Sequence, residues 1–363
     1  MKRIFVSILF LSCLAIPMRA QDSIPAKKPF FKGVMGRVTR MINAFNEIDT
    51  AYIEPQHYNF TVMAQGTMNY EGYRIKSKEG NSVRLAPENS FRVGPYVGWQ
   101  WIFYGYTFGI GHHHNRKRTE WDLSAYSSRI GVDIFYRKSG NDFKIRSVHF
   151  ADHPEAQSIK DVNFSGLTVD IKGFNIYYIA NHKKFSYPAA FGQSTCQRRS
   201  AGSLLAGIGY SKHQLEFDYD SFEDVLKEHL PSYRPHQADS GLMFRNIAYT
   251  DFAISGGYAY NCVFAKNWLL AASLSVAVAY KQSTGNIVRN TRLFRDFSFE
   301  NFNIDGVGRF GLVWNNTRWY AGASAIVHSY NYRKPQFSAN NIFGNLNVYF
   351  GVNFGKKKKY KNK

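Results

Sequence analysis

Cysteine is scarce in this chain: Cys13, Cys196 and Cys262 are the 3 among 363 residues. A disulfide-stapled scaffold is thereby excluded. After residue 20 no run approaches the roughly 20 consecutive apolar residues of a membrane-spanning helix, which excludes a helical membrane protein. Negative charge is in short supply, 26 Asp and Glu against 46 Lys and Arg, for a formal charge of +20. No Gly-rich phosphate loop, Walker-type motif, zinc CxxC pair or HExxH helix occurs. Aromatic residues, by contrast, are abundant: 30 Phe, 24 Tyr and 6 Trp make up 17% of the chain. That much aromatic surface argues against disorder, although mean hydropathy is only -0.36.

The first 20 residues read as an export signal. Lys2 and Arg3 form a positive start, Ile4 to Ile16 an apolar stretch too short to anchor, and Met18-Arg19-Ala20 a small-residue cleavage site before Gln21. Residues 21–57 are expected to be a periplasmic linker with an amphipathic helix. Within Pro29–Ile48, Phe31, Val34, Val38, Met41 and Phe45 recur at helical spacing, with Lys32, Arg37 and Arg40 on other faces. Such a basic helix can lie on a membrane surface or pack like any other. If cleavage occurs, Cys196 and Cys262 remain, enough for one disulfide in an oxidising compartment.

From Tyr58 onward the period is two. Trp268, Leu270, Ala272, Leu274, Val276, Val278 and Tyr280 face one way, and Leu269, Ala271, Ser273, Ser275, Ala277, Ala279 and Lys281 the other. An apolar face that begins and ends on an aromatic residue fits a strand crossing a bilayer between two aromatic girdles. Residues 129–137, 250–260 and 345–354 repeat the pattern. Strands are expected near 58–70, 90–100, 103–112, 123–137, 142–150, 165–180, 200–218, 247–261, 268–281, 298–314, 318–332 and 342–354. Connections alternate short and long. The short ones fall at 101–102, 138–141, 262–267 and 315–317, and 219–246 is the longest outward loop. The expected fold is all-β, a transmembrane antiparallel β-barrel of about 12 strands over 58–354, with the short amphipathic helix before it and a basic periplasmic tail at 355–363. Segment 181–199 breaks the alternation, because a long stretch stands where a short periplasmic turn belongs.

That segment carries a resemblance. Phe185-Ser-Tyr-Pro-Ala-Ala-Phe-Gly-Gln-Ser-Thr-Cys-Gln-Arg-Arg-Ser-Ala-Gly-Ser203 resembles the signature stretch of a domain-of-unknown-function family of Bacteroidota. Asp49-Thr-Ala-Tyr-Ile-Glu-Pro55 and Gly173-Phe-Asn-Ile-Tyr-Tyr178 resemble its flanking motifs, so the likeness spans nearly the whole chain after the export segment. The resemblance implies an exported outer-membrane β-barrel and implies no reaction.

Candidate residues follow from where the segment can go. Phe185, Tyr187, Pro188 and Phe191 are too apolar for a free loop, so 181–199 is expected to fold into the barrel and narrow it; the alternative is a loop lying across the periplasmic rim against the 29–48 helix. Ser186, Gln193, Gln197, Arg198, Arg199 and Ser200 would then meet interior backbone and carboxylate groups. The inward faces are expected to hold Arg92, Arg129, Asp133, Arg137, Lys144, Arg146, Asp170, Lys172, Asp251, Asp305 and Arg309. His112-His113-His114 could bind a transition metal, but a His run in a basic loop is more often solvated, and neither metal nor cofactor is expected. The expected function is a non-enzymatic narrow channel or a structural, envelope-interacting barrel. The alternative is an integral outer-membrane hydrolase of lipid or lipopolysaccharide, recruiting His112 with Ser124 or Ser203. Expected partners are outer-membrane lipid and lipopolysaccharide, with periplasmic envelope components through the Lys356–Lys363 tail. Export argues against nucleic acid.

Overall fold

The alternation becomes one long antiparallel sheet that curls on itself. The computed structural model describes residues 48–99, 102–109, 118–140, 142–231, 242, 246–283, 301–333 and 337–361. The export segment, the expected helix up to residue 47 and His112–His114 lie outside them. In chain order the strands are β1 (Ile53–Pro55), β2 (Tyr58–Ser77), β3 (Ser82–Pro87), β4 (Ser90–Trp99), β5 (Ile102–Gly105), β6 (Phe108–Gly109), β7 (Thr119–Tyr126), β8 (Ile130–Gly140) and β9 (Phe143–His149). There follow β10 (Val162–Phe164), β11 (Leu167–Ile179), β12 (Thr195–Gln197), β13 (Ala201–Phe217), helix α1 (Tyr219–His229), β14 (Asn246–Ala265), β15 (Trp268–Ser283), β16 (Phe302–Asn315), β17 (Trp319–Arg333) and β18 (Phe337–Lys356). Sixteen strands share one sheet, and β1 pairs apart with β12. Among the described residues no helix is long and apolar enough to cross a membrane.

From β13 to β18 each strand pairs with the next. The last strand then returns to the first long one, with register running from Phe337↔Ser77 to Lys356↔Tyr58. Curling brings distant strands face to face: Arg309 on β16 pairs with Asp133 on β8, and the Arg137 guanidinium on β8 lies 4.5 Å from the Phe343 ring on β18. The ladder is not closed among the described residues, because β7 pairs with β8 alone and β4 is joined to β2, β5 and β6.

Two expectations about connections are corrected. The stretch 123–137 is two strands, split at 127–129 by a turn in which Ser127 Oγ accepts from Ile130 N at 2.9 Å. Exposed Trp121 and Leu123 are odd-numbered on β7, whereas exposed Ile134 is even-numbered on β8. That change of phase is the trace the turn leaves in the sequence. The 138–141 connection therefore lies at the opposite end from the expected short turns. There β9 adds to β3 and β10, extending the sheet beyond the long strands. At the short-turn end, residues 266–267 and 316–318 join neighbouring strands. Asn267, at φ 69, takes the left-handed position that Asn tolerates.

Exposure divides the outer surface into levels. Along β2, Phe60, Val62 and Tyr70 are exposed, followed by Arg74 and Lys76. Phe60 to Tyr70 spans roughly 34 Å of strand, or about 24 Å of height at a 45° tilt, the thickness of a bilayer's apolar band. Above that level the interior is apolar instead. Tyr73, Ile75, Val83, Leu85, Phe143, Ile145, Leu215 and Phe217 are buried in one cluster. Helix α1 caps it, starting where Asp218 Oδ1 accepts from Ser221 N at 3.2 Å and burying Phe222, Leu226 and Leu230. The expected loop 219–246 is thus helical at its start, because Phe222, Leu226 and Leu230 recur four apart behind an N-cap.

The interior is tight enough to depend on missing side chains. Tyr320, fully buried and 2.7 Å from Thr61 Oγ1 through its hydroxyl, lies over Gly351, where a Cβ would come within 2.3 Å of the ring. Gly351→Val should therefore cost about 1–3 kcal/mol through overpacking. Gly256→Ala, which would meet nothing within 4 Å, should cost far less. Urea midpoints in detergent, followed by tryptophan fluorescence, measure both.

Candidate functional site: a filled interior

Beneath the apolar cluster the interior turns polar, and its charges meet in pairs. Lys281 Nζ on β15 donates to Asp305 Oδ1 and to the Asn331 carbonyl, both at 2.8 Å, and lies 3.5 Å from Asp251 Oδ2. Its ammonium also sits 5.4 Å from the Tyr249 and Tyr330 rings. Arg137 Nη2 donates to Asp122 Oδ2 at 2.7 Å. Arg118 pairs with Glu71 and Glu120, and Arg309 with Asp133. Buried charge this extensive survives only when each group faces an opposite one.

The 181–199 segment fills the short-turn end. Phe185, Ser186, Tyr187, Ala189 and Ala190 are buried, as are Gln193, Cys196 and Gln197. Pro188–Gly192 forms a short wide helical turn, and its Ala189 and Ala190 pack with Leu269, Ala271 and Val313 of the wall. Tyr187 stacks on Tyr126 at 5.7 Å, and the Arg309 guanidinium stands 5.9 Å from its ring. Gln193 donates through Nε2 to Tyr349 Oη at 2.8 Å and accepts from Asn315 Nδ2 at 3.0 Å. Asn261 Nδ2 donates to the Ser186 carbonyl at 2.8 Å and to Gln197 Oε1 at 3.1 Å. Gln197 Nε2 in turn donates to the Lys184 carbonyl at 2.6 Å. Asn261 and Gln197 thus satisfy backbone that has left the sheet ladder, and Gln193 ties the segment to side chains of the wall.

The remaining candidates divide. Asp133, Asp305 and Arg309 are buried, as are Arg137 and Asp251. Lys144 and Arg146 instead alternate with buried Phe143 and Ile145 and pair with Glu88 and Asp161 on the other face. Asp170 and Lys172 likewise lie opposite buried Val169 and Ile171. These four were expected inside. Beyond the apolar belt the sheet inverts, with polar residues outside and the apolar cluster inside. Arg198 pairs with Glu54 of β1 rather than with an inward-facing carboxylate, and its Nη1 donates to Asn267 Oδ1 at 2.6 Å. Arg199 is exposed beside the Tyr52 ring, and Ser200 Oγ accepts from Val263 N at 2.9 Å. Sequence reasoning missed Glu71, His213 and His328, whose parity on their strands was the available signal. Glu54 lies in the Asp49–Pro55 motif, but no spacing in the sequence paired it with Arg198.

An open pocket of about 490 Å³ lies at the short-turn end among Gln197, Arg198, Val263, Phe264, Lys266 and Asn267; within the interior the space is smaller. A cavity of about 40 Å³ lies among Asn175, Tyr177, Ser255, Asp305, Arg309 and Tyr330, room for roughly one or two waters. Among the described residues no Ser–His–carboxylate arrangement opens onto it; His112 of the hydrolase alternative lies outside them. Ser124 Oγ donates to Asp133 at 2.7 Å, and Ser203 Oγ donates to the Leu204 carbonyl at 2.9 Å. Ser211 Oγ does lie 2.9 Å from His213 Nε2, but the nearby carboxylate, Asp251, contacts the serine at 3.4 Å rather than orienting the imidazole. The imidazole ring is stacked 4.6 Å from Tyr249, and all three residues are buried.

The chain belongs to the family of the domain of unknown function DUF4421, whose model matches residues 47–354. No curated protein sequence matches it. Among solved structures it is similar to the outer membrane protease OmpT from Escherichia coli, at 9% identity over 82% of this chain and 97% of that chain, with a TM-score of 0.29. It is similar to the β domain of the Bordetella autotransporter BrkA, at 8% identity over 80% and 99% of the two chains and a TM-score of 0.28. The P. putida toluene transporter TodX is a third likeness, at 9% identity over 82% and 91% and a TM-score of 0.21. At these values the likenesses assign no activity to this chain.

The charges and thiols give two measurable consequences. Arg309→Ala leaves Asp133 buried and unpaired, which should cost about 3–5 kcal/mol, whereas Arg309→Met with Asp133→Leu should recover most of it. A double-mutant cycle on urea midpoints measures the difference. Cys196 and Cys262 are both free thiols. Burial pushes the Cys196 thiol up to about 12, so at pH 8 only ~1 in 10⁴ is thiolate. Cys196 in a Cys262→Ser variant should resist maleimide until urea unfolds the chain, as read by mass spectrometry.

Proposed function

We propose that this chain is an outer-membrane β-barrel, exported through a cleaved signal peptide, whose filled interior makes it a structural and envelope-interacting barrel rather than an open pore. The ladder is completed between β6 and β7, giving about 12 spanning strands. The exposed belt supports the membrane reading: Leu204, Ile254, Leu274, Val278, Ile304 and Phe350 are each more than half exposed, a cost in water that lipid removes. The short-turn end faces the periplasm. There Lys266, Arg318 and Lys356 stand within two residues of Trp268, Trp319 and Phe354. That places cations at headgroup level, with the Lys356–Lys361 tail beyond them to meet envelope components.

One observation carries the choice against a channel. The apolar cluster seals one end of the interior, the 181–199 segment fills the other, and about 40 Å³ lies between them. A solute following this path would have to displace one of the two layers.

The intact protein should fractionate with outer membranes, resist carbonate, and shift in gel mobility on heating. In planar bilayers it should show no resolvable steps. Replacing 185–199 with a short Gly-Asn turn should still leave conductance low, because the apolar cluster remains. Stable open steps from the intact protein would overturn the sealed reading, and release by carbonate the membrane reading.

A further inference from the structure

The outer surface above the apolar belt carries a feature that costs stability in water. Lys172 on β11 is directly opposite Lys212 on β13. Arg74 on β2 is directly opposite Arg84 on β3. All four side chains are exposed. Like charges at directly opposed positions repel, and side chains there stand only about 4.5–5.5 Å apart at Cβ. Two other cations at this end have carboxylates, Lys144 with Glu88 and Arg146 with Asp161, and Asp170 stands two residues from Lys172 on the same outer face without an ion pair to it. Among the described residues neither Lys172 and Lys212 nor Arg74 and Arg84 has an ion-pair partner.

Both pairs lie on the long-loop side of the apolar belt. Two residues below Lys172 and Lys212 on the same faces are Phe174 and Tyr210, themselves opposite each other with ring centroids 5.9 Å apart. Four residues below Arg74 is exposed Tyr70. Each cation pair thus stands just beyond an aromatic girdle, at the height of lipid phosphates. This is the long-loop end, where the leaflet is the outer one.

We propose that Lys172 with Lys212, and Arg74 with Arg84, form two binding sites for the phosphate groups of lipopolysaccharide, with Phe174, Tyr210 and Tyr70 against its acyl chains. A phosphate between two opposed cations turns their repulsion into attraction to a shared anion, and a bilayer edge supplies it at the right depth. The sites rest on the outer-membrane reading above.

The test uses the full-length chain in detergent, with diphosphoryl lipid A, phosphatidylglycerol and inorganic phosphate as separate probes. Native mass spectrometry reads retention, and thermal unfolding reads the stability gain. Lipid A should be retained and should raise the midpoint. Each cation is worth about fivefold in affinity, so Lys172→Gln with Lys212→Gln, or Arg74→Gln with Arg84→Gln, should each weaken its own site by about 25-fold. Without lipid, both double variants should be at least as stable as the parent, since repulsion has been removed. That sign separates a ligand site from a structural role. Equal retention by parent and variants would overturn the proposal, as would equal stabilisation by phosphatidylglycerol or full displacement by millimolar phosphate. A heat-modifiable, carbonate-resistant protein indifferent to lipid A would sink the sites and leave the membrane reading standing. Release by carbonate would sink both.

Discussion

Everything in this molecule depends on the two-sidedness of a β-strand. Successive side chains point to opposite faces, so in a curled sheet each residue is committed to the interior or the exterior by its parity alone. The apolar residues spent on the outside contribute nothing to filling the inside at the same level. The belt formed by Leu270, Leu274, Val276 and Val278 on β15 therefore faces an interior of Ala271, Ser273, Ala277 and Ala279. Small and polar residues cannot fill a wide interior. Something else must, and at the short-turn end it is the chain between β11 and β13.

The charged middle layer follows from the same constraint. Arg309, Asp133, Lys281, Asp251 and Asp305 are taken out of water, and such burial returns little net stability even when every charge is matched. It supplies geometry. Arg309 joins β16 to β8 and stands over Tyr187, and Lys281 joins β14, β15, β16 and β17 through Asp251, Asp305 and Asn331. These contacts hold opposite walls at a set separation while the amides of Gln193 and Gln197 seat the inserted segment. The wall and the filling specify each other.

The outer surface is divided by level rather than by strand. Along β2 the outward residues change from Phe60 and Val62 to Tyr70 and then to Arg74 and Lys76, while the inward ones change from Gln65 and Thr67 through Glu71 to Tyr73 and Ile75. Inside and outside exchange character at the same height. Above it the protein has an ordinary apolar core under helix α1, and below it the outer surface is a belt of exposed apolar side chains. Excess positive charge collects beyond both edges of the belt, where it does not have to enter the apolar layer.

Parity, and with it the exposed belt, was legible in the sequence because a period of two survives in any window of a few residues. The long strands from 165 onward, and the inward placement of Asp133, Asp305 and Arg309, needed nothing more. The anomaly of 181–199 was legible too, since a long apolar stretch stood where a short turn was expected, and apolar side chains disfavour a free loop. Three things were decided only by tertiary structure. Local pattern cannot show where the belt ends and the sheet inverts, which is why Lys144, Arg146, Asp170 and Lys172 stand outside. Nor can it show which distant strands meet, so Arg198 finds Glu54 on β1 and Arg309 finds Asp133. The third is that helix α1 folds onto the apolar cluster at the far end. A strand's own residues fix its two faces, but what each face touches depends on how the whole sheet curls.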